Sequence, residues 1–385
     1  MTQRTLTSDP PPAQPAPPGL KGLVVAETAI GSVRGEEGFY HYREYDATEL
    51  ARTASVEAVA HLLLMGSLPT TDVEAQFRER LGRARVLDPL VMDLVARTAP
   101  LSHSPLAVLR SVLPFLTDPT PTLDLDSEQR LDAAIGLIGA VPSVLAAAHR
   151  IQGGLEPIEA DPKSGHAADF VHMLTGLRPT PEIATALERY LVLTADHGFN
   201  NSTFTTRVIT SSGADVGSVI GGAIASLSGP LHGGAPSRVL EMLEAIGAPD
   251  NAAAWTRSQL ETGAKIMGFG HAVYASTDPR SALLEETATE LGGKLVDDAR
   301  QVEAAILEVV REWKPNATIV TNVEFYAAIV LHLVGVTGAM FTPTFTVSRV
   351  IGWCAHLLEQ AANNKIIRPS ATYVGAPPVA HIPRD

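Results

Sequence analysis

The chain has 385 residues, of which 45% are apolar, and a formal net charge of −13 at pH 7. This length exceeds what one hydrophobic core holds, so it predicts two domains. The negative charge argues against nucleic acid or an anionic membrane as a partner, and an anionic substrate would need a local group of arginines. Cys354 is the only cysteine and no apolar signal segment opens the chain. We therefore expect a soluble cytoplasmic protein without an intrachain disulfide.

The amino-acid composition of the N-terminal segment changes after residue 18. Residues 1–18 end in PPPAQPAPP, which cannot form a helix and predicts a disordered tail. Residues 22–46, GLVVAETAIGSVRGEEGFYHYREYD, combine β-branched and aromatic residues with glycine turns. This pattern predicts a small hairpin unit.

Helical patterns dominate from Ala47 onward. Ser55 caps an apolar-periodic segment that ends at Gly66, and Pro142 predicts a kink in a long Ala-rich helix. No strand–helix alternation and no internal repeat is found, so the predicted fold class is mainly α. The segments that predict the clearest helices are 55–66, 126–154, 180–198, 281–291, 297–313, 322–335 and 346–362.

The segment ADVGSVIGGAIASLSGPLHGG, residues 214–234, is rich in small residues that let another helix approach closely. The simpler interpretation is a tight helix crossing within one chain. The alternative is a subunit interface, and composition alone leaves both open.

Three histidines lie beside glycines and are the first candidates for chemistry. They are His197 in ADHGFNNST, His232 in GPLHGG and His271 in GFGHAVY. A single histidine of this kind is most simply a turn residue bonded to the backbone. Three of them in a helical protein favour a ligand site, because neighbouring glycines give a ligand access to side chain and backbone. The sequence has no GxSxG, Walker A, HExxH or paired CxxC motif, and the histidines lack metal-ligand spacing.

Glu324 and three arginines complete the candidates. Thr321-x-x-Glu324 fits a helix capping box, whereas a carboxylate at the edge of an apolar helix can act as a base with a raised pKa. The sequence leaves these two roles open. Taken singly, each arginine is most simply interpreted as a solvated surface residue. Together they suit a small di- or tricarboxylate. They are Arg280, Arg349 and Arg368.

Several motifs resemble the citrate synthase family in order and spacing. They are ADHGFNNSTFTTRV, GPLHGGAPSRVLEML, MGFGHAVYASTDPR, NVEFYAAIVLHLVGV, FTPTFTVSRVIGWCAHLLEQ and IIRPSATYVG. Residues 22–46 also resemble the N-terminus of the short bacterial type, and the likeness covers residues 19–376. The resemblance implies a mainly α homodimer with a large domain, 19–233 and 336–385, and a smaller mobile domain, 234–335. It also implies condensation of acetyl-CoA with oxaloacetate and hydrolysis of citryl-CoA, without a metal or redox cofactor.

The same resemblance implies roles for the catalytic candidates. His232 would hydrogen-bond the thioester oxygen and stabilise the enol that forms when the methyl group loses a proton. His271 would polarise and protonate the ketone of oxaloacetate. Glu324 would take the proton from the acyl group.

Substrate binding is implied for a second set of residues. His197, Arg280 and Arg349 would hold the carboxylates and ketone of oxaloacetate, with Arg368 contributed by the neighbouring subunit. The family's CoA-binding loop corresponds to Lys265, Met267, Gly268, Phe269 and Gly270.

The chain departs from the family pattern at the base and near the CoA phosphates. Glu324 stands where the family usually has Asp, and Ala272 and Ala275 stand where a basic residue is usual. Two alternatives therefore accompany the acetyl-CoA prediction. One is a 2-methylcitrate synthase that uses propionyl-CoA. The other is a catalytically weakened dimeric paralogue that binds a carboxylate or CoA ligand.

Overall fold

The computed structural model describes residues 17–233, 235–270, 274, 278–316 and 319–376. Most of the predicted N-terminal tail lies outside these ranges. Its last residue, Pro18, opens a 3-10 turn over Pro18–Leu20, and the disorder predicted for the tail stays a prediction. Proline is tolerated there because the first residue of a helical turn needs no N–H partner.

A three-stranded antiparallel sheet precedes the helices and confirms the predicted hairpin unit. Strand β1 pairs with β2 with Gly31 opposite Tyr42, and β2 pairs with β3 with His41 opposite Asp46. The strands are β1 (Gly31–Arg34), β2 (Phe39–Tyr42) and β3 (Tyr45–Asp46).

Sixteen α helices form the rest of the described fold and confirm the mainly α prediction. The first eight are α1 (Ala47–Thr53), α2 (Val56–Met65), α3 (Thr71–Arg85), α4 (Pro89–Thr98), α5 (Pro105–Val112), α6 (Ser127–Gln152), α7 (His166–Thr175) and α8 (Pro181–Thr194). The second eight are α9 (Asn201–Ser211), α10 (Val216–Leu227), α11 (Ala235–Ile246), α12 (Ala252–Glu261), α13 (Pro279–Leu291), α14 (Lys294–Trp313), α15 (Val323–Leu333) and α16 (Phe341–Ala362).

Local signals fix several helix ends where they were expected. The Ser55 hydroxyl accepts from the Ala58 N–H at the start of α2, and Gly66 ends that helix in the left-handed conformation. Helix α16 differs, because it begins at Phe341 instead of residue 346. Pro343 lies in the first turn of this helix, where a proline removes no intrahelical hydrogen bond.

The long helix α6 lies in the core of the described fold. It packs against α3, α5, α7 and α16, and it continues through Pro142. Within the described residues it is the helix long and apolar enough to cross a membrane, yet 78% of that apolar window is buried inside the fold. We interpret α6 as a core helix for this reason.

The small-residue segment forms α10 and crosses α9 within the same chain. A Cβ on Gly222 would lie 2.1 Å from Ile209 Cδ1, and one on Gly217 would lie 2.7 Å from Thr117 Oγ1. The approach at Gly222 confirms a tight crossing of α9 and α10 within one chain, and Thr117 lies in a bend outside the helices. A subunit interface on α10 stays a prediction, as does the division into domains at residues 234 and 335.

Candidate active site

A cavity of about 510 Å³ brings together side chains from five separate helix ends or faces. His197 follows α8, His232 follows α10, Arg280 and Glu324 open α13 and α15, and Arg349 lies within α16. Residues that are up to 152 positions apart, from His197 to Arg349, therefore face one space. His271 falls outside the described residues, and so do Ala272 and Ala275.

Arg280 is held rigidly by the residue that caps its own helix. Asp278 accepts from the Arg280 backbone N–H at 3.0 Å, and its two oxygens accept from Nε and Nη2 at 3.0 and 2.9 Å. Asp278 also accepts from the Val323 N–H at 3.0 Å, which joins the starts of α13 and α15. Burial acts to lower the pKa of Arg280, but the Asp278 carboxylate outweighs it and holds that pKa above its ordinary value.

Arg349 is equally buried but is held more loosely. Its Nε donates to Thr194 O at 2.8 Å, and its guanidinium carbon lies 4.6 Å from the centre of the Phe345 ring. Burial lowers its pKa, and the nearby Asp196 carboxylate offsets part of that effect. Arg349 and Arg280 are 2% and 4% exposed, so the interpretation of either as a solvated surface residue is wrong.

His197 lies between two tyrosines. Its Nε2 is 2.9 Å from the Tyr274 hydroxyl, and its ring meets Tyr40 edge-on with centroids 5.3 Å apart. Tyr40 in turn donates its hydroxyl to Leu193 O near the end of α8. The hairpin sheet thus supports the turn that presents His197.

His232 is anchored by a serine on α9. Its Nε2 lies 2.8 Å from Ser202 Oγ, which also accepts from Trp353 Nε1 at 3.1 Å. Burial, followed by the charge of Arg349, lowers the pKa of His232 to about 4, so the imidazole is neutral at pH 7. The Ser202 hydroxyl also lies 2.9 Å from Asn200 Oδ1, to which it can donate its one proton. In the tautomer whose Nε2 accepts from Ser202 instead, the imidazole proton is on Nδ1, where it can be donated to a ligand.

Glu324 has a carboxylate at the cavity but no capping role. The cap of α15 is Asn322, whose Oδ1 accepts from the Glu324 N–H at 3.0 Å. The Thr321 hydroxyl donates instead to the Glu303 carboxylate, so the capping box predicted for Thr321 and Glu324 is wrong. Asn takes the position because it is a strong N-cap one residue closer to the helix. Burial raises the pKa of Glu324 to about 7, although Arg280 works against the rise.

The loop predicted to bind CoA is tied to the turn that carries Glu324. The Gly270 N–H donates to Val320 O at 2.8 Å, and the Asn322 N–H donates to Gly268 O at 2.9 Å. Gly270 lines the cavity, Lys265 is exposed, and the Phe269 ring packs edge-on against Phe325. Met267 and Gly268 lie on the same loop, so these hydrogen bonds join the loop backbone to the turn before the candidate base.

Arg368 lies apart from this cavity on an exposed segment after α16. Its predicted contribution to a neighbouring subunit stays a prediction. Among the described residues, no group of three or more His, Cys, Asp or Glu side chains is placed to hold a metal ion.

Sequence reasoning missed the partners of the candidate residues. Asp278, Ser202 and Asn322 each fix one of them, and all three sit within two residues of a quoted motif or inside it. The DPR and NNST strings carried a usable signal, because Asp and Ser before or within a helix start commonly bind side chains or N–H groups locally. Tyr274 carried no such signal, since its contact with His197 is between residues 77 positions apart.

The chain is similar to known proteins over most of its length. A family model described as "Citrate synthase, C-terminal domain" matches residues 19–370. The citrate synthase of Haloferax volcanii is 37% identical over 95% of this chain and 98% of its own length. The 2-methylcitrate synthase of Mycobacterium tuberculosis is 38% identical over 93% of this chain and 90% of its own.

A solved structure gives the same result for the fold. The citrate synthase of Thermoplasma acidophilum, in a ternary complex with carboxymethyl coenzyme A and oxaloacetate, superimposes with a TM-score of 0.86 at 25% identity, covering 95% of this chain and 98% of the other. The fold and the cavity define a mainly α acyl-CoA-condensing enzyme that acts on oxaloacetate. The chain belongs to the citrate synthase family.

Proposed function

We propose that this enzyme condenses acetyl-CoA with oxaloacetate to give citrate and CoA. The observation that carries the proposal is the convergence of a carboxylate, a neutral imidazole and two buried guanidinium groups on one cavity. An enolising acyl group needs a base and an oxyanion donor, and a dicarboxylate needs fixed cations. The residues present match each requirement.

In this account Glu324 takes a proton from the acyl α-carbon. A pKa of about 7 suits a base that works near neutral pH, because the ionised form is populated while the group still holds a proton well. His232, neutral and oriented by Ser202, donates to the thioester oxygen as charge develops there. Arg280 and Arg349 bind the carboxylates of oxaloacetate together with His197. Resemblance to the family assigns the ketone to His271.

The size of Glu324 supports acetyl-CoA over propionyl-CoA. Its side chain has one methylene more than the Asp usual in the family, which advances the carboxylate by about 1 Å into the cavity. The space beside the acyl α-carbon is correspondingly reduced, and a propionyl methyl group would have to occupy it. No metal or cofactor takes part in the proposed reaction.

A 2-methylcitrate synthase is the second candidate. The 38% identity with the Mycobacterium tuberculosis enzyme favours it. Ala327, which lines the cavity one helical turn after Glu324, also favours it, because its small side chain leaves space there for an additional methyl group.

Steady-state release of CoA from the purified protein with oxaloacetate decides between these candidates. We expect a kcat/KM for acetyl-CoA at least about tenfold above that for propionyl-CoA, since one methyl group in a pocket is worth about 1–3 kcal/mol. The reverse preference would identify a 2-methylcitrate synthase. A folded protein that binds oxaloacetate but releases no CoA from either thioester would identify a binding paralogue.

A further inference from the structure

A chain of buried polar side chains lies directly behind the cavity. Arg207 on α9 donates from Nε to His356 Nδ1 on α16 at 3.1 Å, and its Nη2 pairs with Glu359. On the other side, His356 Nε2 lies 3.4 Å from Asp196 Oδ1. Arg207, His356 and Asp196 are all at least 97% buried, and none of them lines the cavity.

The direction of the first hydrogen bond fixes the proton on His356. Because Arg207 donates to Nδ1, a neutral imidazole carries its proton on Nε2, which faces the Asp196 carboxylate. Neither His356 Nε2 nor Asp196 Oδ1 forms a hydrogen bond with a described group, so the 3.4 Å contact between them is electrostatic. His356 Nε2 is the described nitrogen that faces this oxygen.

Close approach of α16 to the end of α8 makes the contact possible. A Cβ on Gly352 would lie 2.4 Å from Ala195 O and 3.0 Å from Asp196 Oδ1. Arg349, Gly352 and His356 lie on one face of α16, at spacings of three and four residues. That face contacts the backbone and side chains of residues 194–196, immediately before His197.

The two cavity arginines differ in what holds them. Arg280 has Asp278 bound to Nε and Nη2, whereas no carboxylate of a described residue lies within 4.0 Å of Arg349. Asp196 is close enough to act on the charge of Arg349 without pairing with it. Attraction between opposite charges is strong in the protein interior. Without a group that fixes its position, the Asp196 carboxylate would therefore form a direct ion pair with the guanidinium of Arg349.

We propose that His356 is a positioning residue that holds the Asp196 carboxylate behind the cavity, which leaves the guanidinium of Arg349 open to a substrate carboxylate. The inference rests on the proposed function, because it takes oxaloacetate as the ligand of Arg349. His356 itself touches no substrate. It acts by fixing the position of the Asp196 carboxylate, which would otherwise compete with the substrate for Arg349.

Calorimetric titration of oxaloacetate into a set of variants tests this. We expect His356→Leu to weaken oxaloacetate binding by about 10- to 100-fold, because Asp196 is released toward Arg349. His356→Gln should retain most of the affinity, since a glutamine amide can accept from Arg207 and donate to Asp196. In turnover, His356→Leu should raise KM for oxaloacetate far more than it lowers kcat.

The deciding variant is the double substitution Asp196→Asn with His356→Leu. An amide cannot form an ion pair with Arg349. We therefore expect the addition of Asp196→Asn to His356→Leu to restore oxaloacetate affinity to within about threefold of the wild type. A purely structural role of His356 predicts no such rescue. The matched control is His166→Leu, which removes an equally buried histidine on α7 and should leave oxaloacetate affinity unchanged.

Two results would overturn the proposal: wild-type affinity in His356→Leu, or a double variant as weak as His356→Leu. If His356→Leu does not fold, Asp196→Asn alone decides, because the account expects affinity at least equal to the wild type and a tenfold loss would refute it. A wild-type protein that fails to bind oxaloacetate would instead refute the proposed function, and this inference with it.

Discussion

Glu324 stands at the start of α15 with its carboxylate on the cavity. Replacing it with Gln keeps the shape of the side chain but removes the base. We expect kcat to fall by about 10²- to 10⁴-fold while oxaloacetate still binds. Glu324→Asp is the control, because it retains a carboxylate at the position usual in the family. Near-normal turnover in Glu324→Gln would exclude Glu324 as the base.

The pH dependence follows from the same group. Burial raises the pKa of Glu324 to about 7, and only its ionised form can accept a proton. We expect kcat/KM for the acyl-CoA to fall as pH drops below about 7, approaching tenfold per pH unit well below that value. A rate profile measured from pH 5 to 9 checks this, and a flat acid limb in the wild type would contradict it.

His166 predicts an acid sensitivity of the fold that is separate from catalysis. It is fully buried, neither ring nitrogen has a hydrogen-bond partner among the described residues, and burial lowers its pKa from 6.5 to about 3. Between these pH values the unfolded chain binds a proton that the folded chain does not. This contribution to stability is therefore complete above pH 6.5 and is lost as pH falls below it, by up to about 1.4 kcal/mol per pH unit.

His166→Leu should remove that slope. Denaturant unfolding of the variant and the wild type at pH 7 and pH 5 gives the comparison, and we expect the variant to lose less stability between them. His103→Leu is the control, because His103 is exposed. Equal pH slopes in the wild type and His166→Leu would contradict the account.

At the residue scale, the sequence indicated which side chains are candidates for chemistry. It did not indicate how deeply they are buried or which residues hydrogen-bond to them. Arg280 and Arg349 were found by type and motif, but their burial depends on α8, α13 and α16 coming together. The error at Thr321 has a local cause. Two consecutive residues, Thr321 and Asn322, can both cap a helix, and the hydrogen bond of Thr321 to Glu303 on α14 settles the choice.

At the scale of elements, the loop 265–270 depends on one close approach. Gly268 has φ +83°, and a Cβ there would lie 2.9 Å from Phe325 Cβ at the start of α15. We expect Gly268→Ala to destabilise the protein by more than the ~1–2 kcal/mol of left-handed backbone strain, and to raise KM for the acyl-CoA.

Gly263→Ala is the matched control for that experiment. Gly263 has φ +72°, but a Cβ there meets nothing within 4 Å. An alanine at position 263 would therefore have the left-handed backbone strain but no steric clash. Thermal unfolding and acyl-CoA kinetics of both variants separate the two effects, and equal behaviour would show that contact with Phe325 does not position the loop.

Most helices were predictable because their caps and periodicity are local. Helix α2 has the expected cap, Ser55, and α8 begins with Thr180 as its cap and Pro181 in its first turn. The start of α16 differs from the prediction by five residues, and Pro343 lies in the first turn of the observed helix, where a proline is tolerated. That position is set by packing of Phe341 in the core, which no local pattern reveals.

At the scale of the whole molecule, Arg368 predicts a shared active site. It is exposed and lies outside the cavity of its own chain. If it completes the site of a partner subunit, Arg368→Ala and Glu324→Gln should each be inactive alone. Co-expressed in equal amounts, they should recover about a quarter of wild-type activity, since half the dimers would be mixed and each mixed dimer would hold one intact site. Absence of recovery in purified mixed dimers would contradict a shared site.

The central claim is that this cavity condenses oxaloacetate with acetyl-CoA. Its most direct test gives the purified enzyme oxaloacetate with equal concentrations of acetyl-CoA and propionyl-CoA, and measures both products by mass spectrometry early in the reaction. The product ratio equals the ratio of the two kcat/KM values. The account predicts citrate in at least about tenfold excess. An excess of 2-methylcitrate, or the absence of both products, would contradict it.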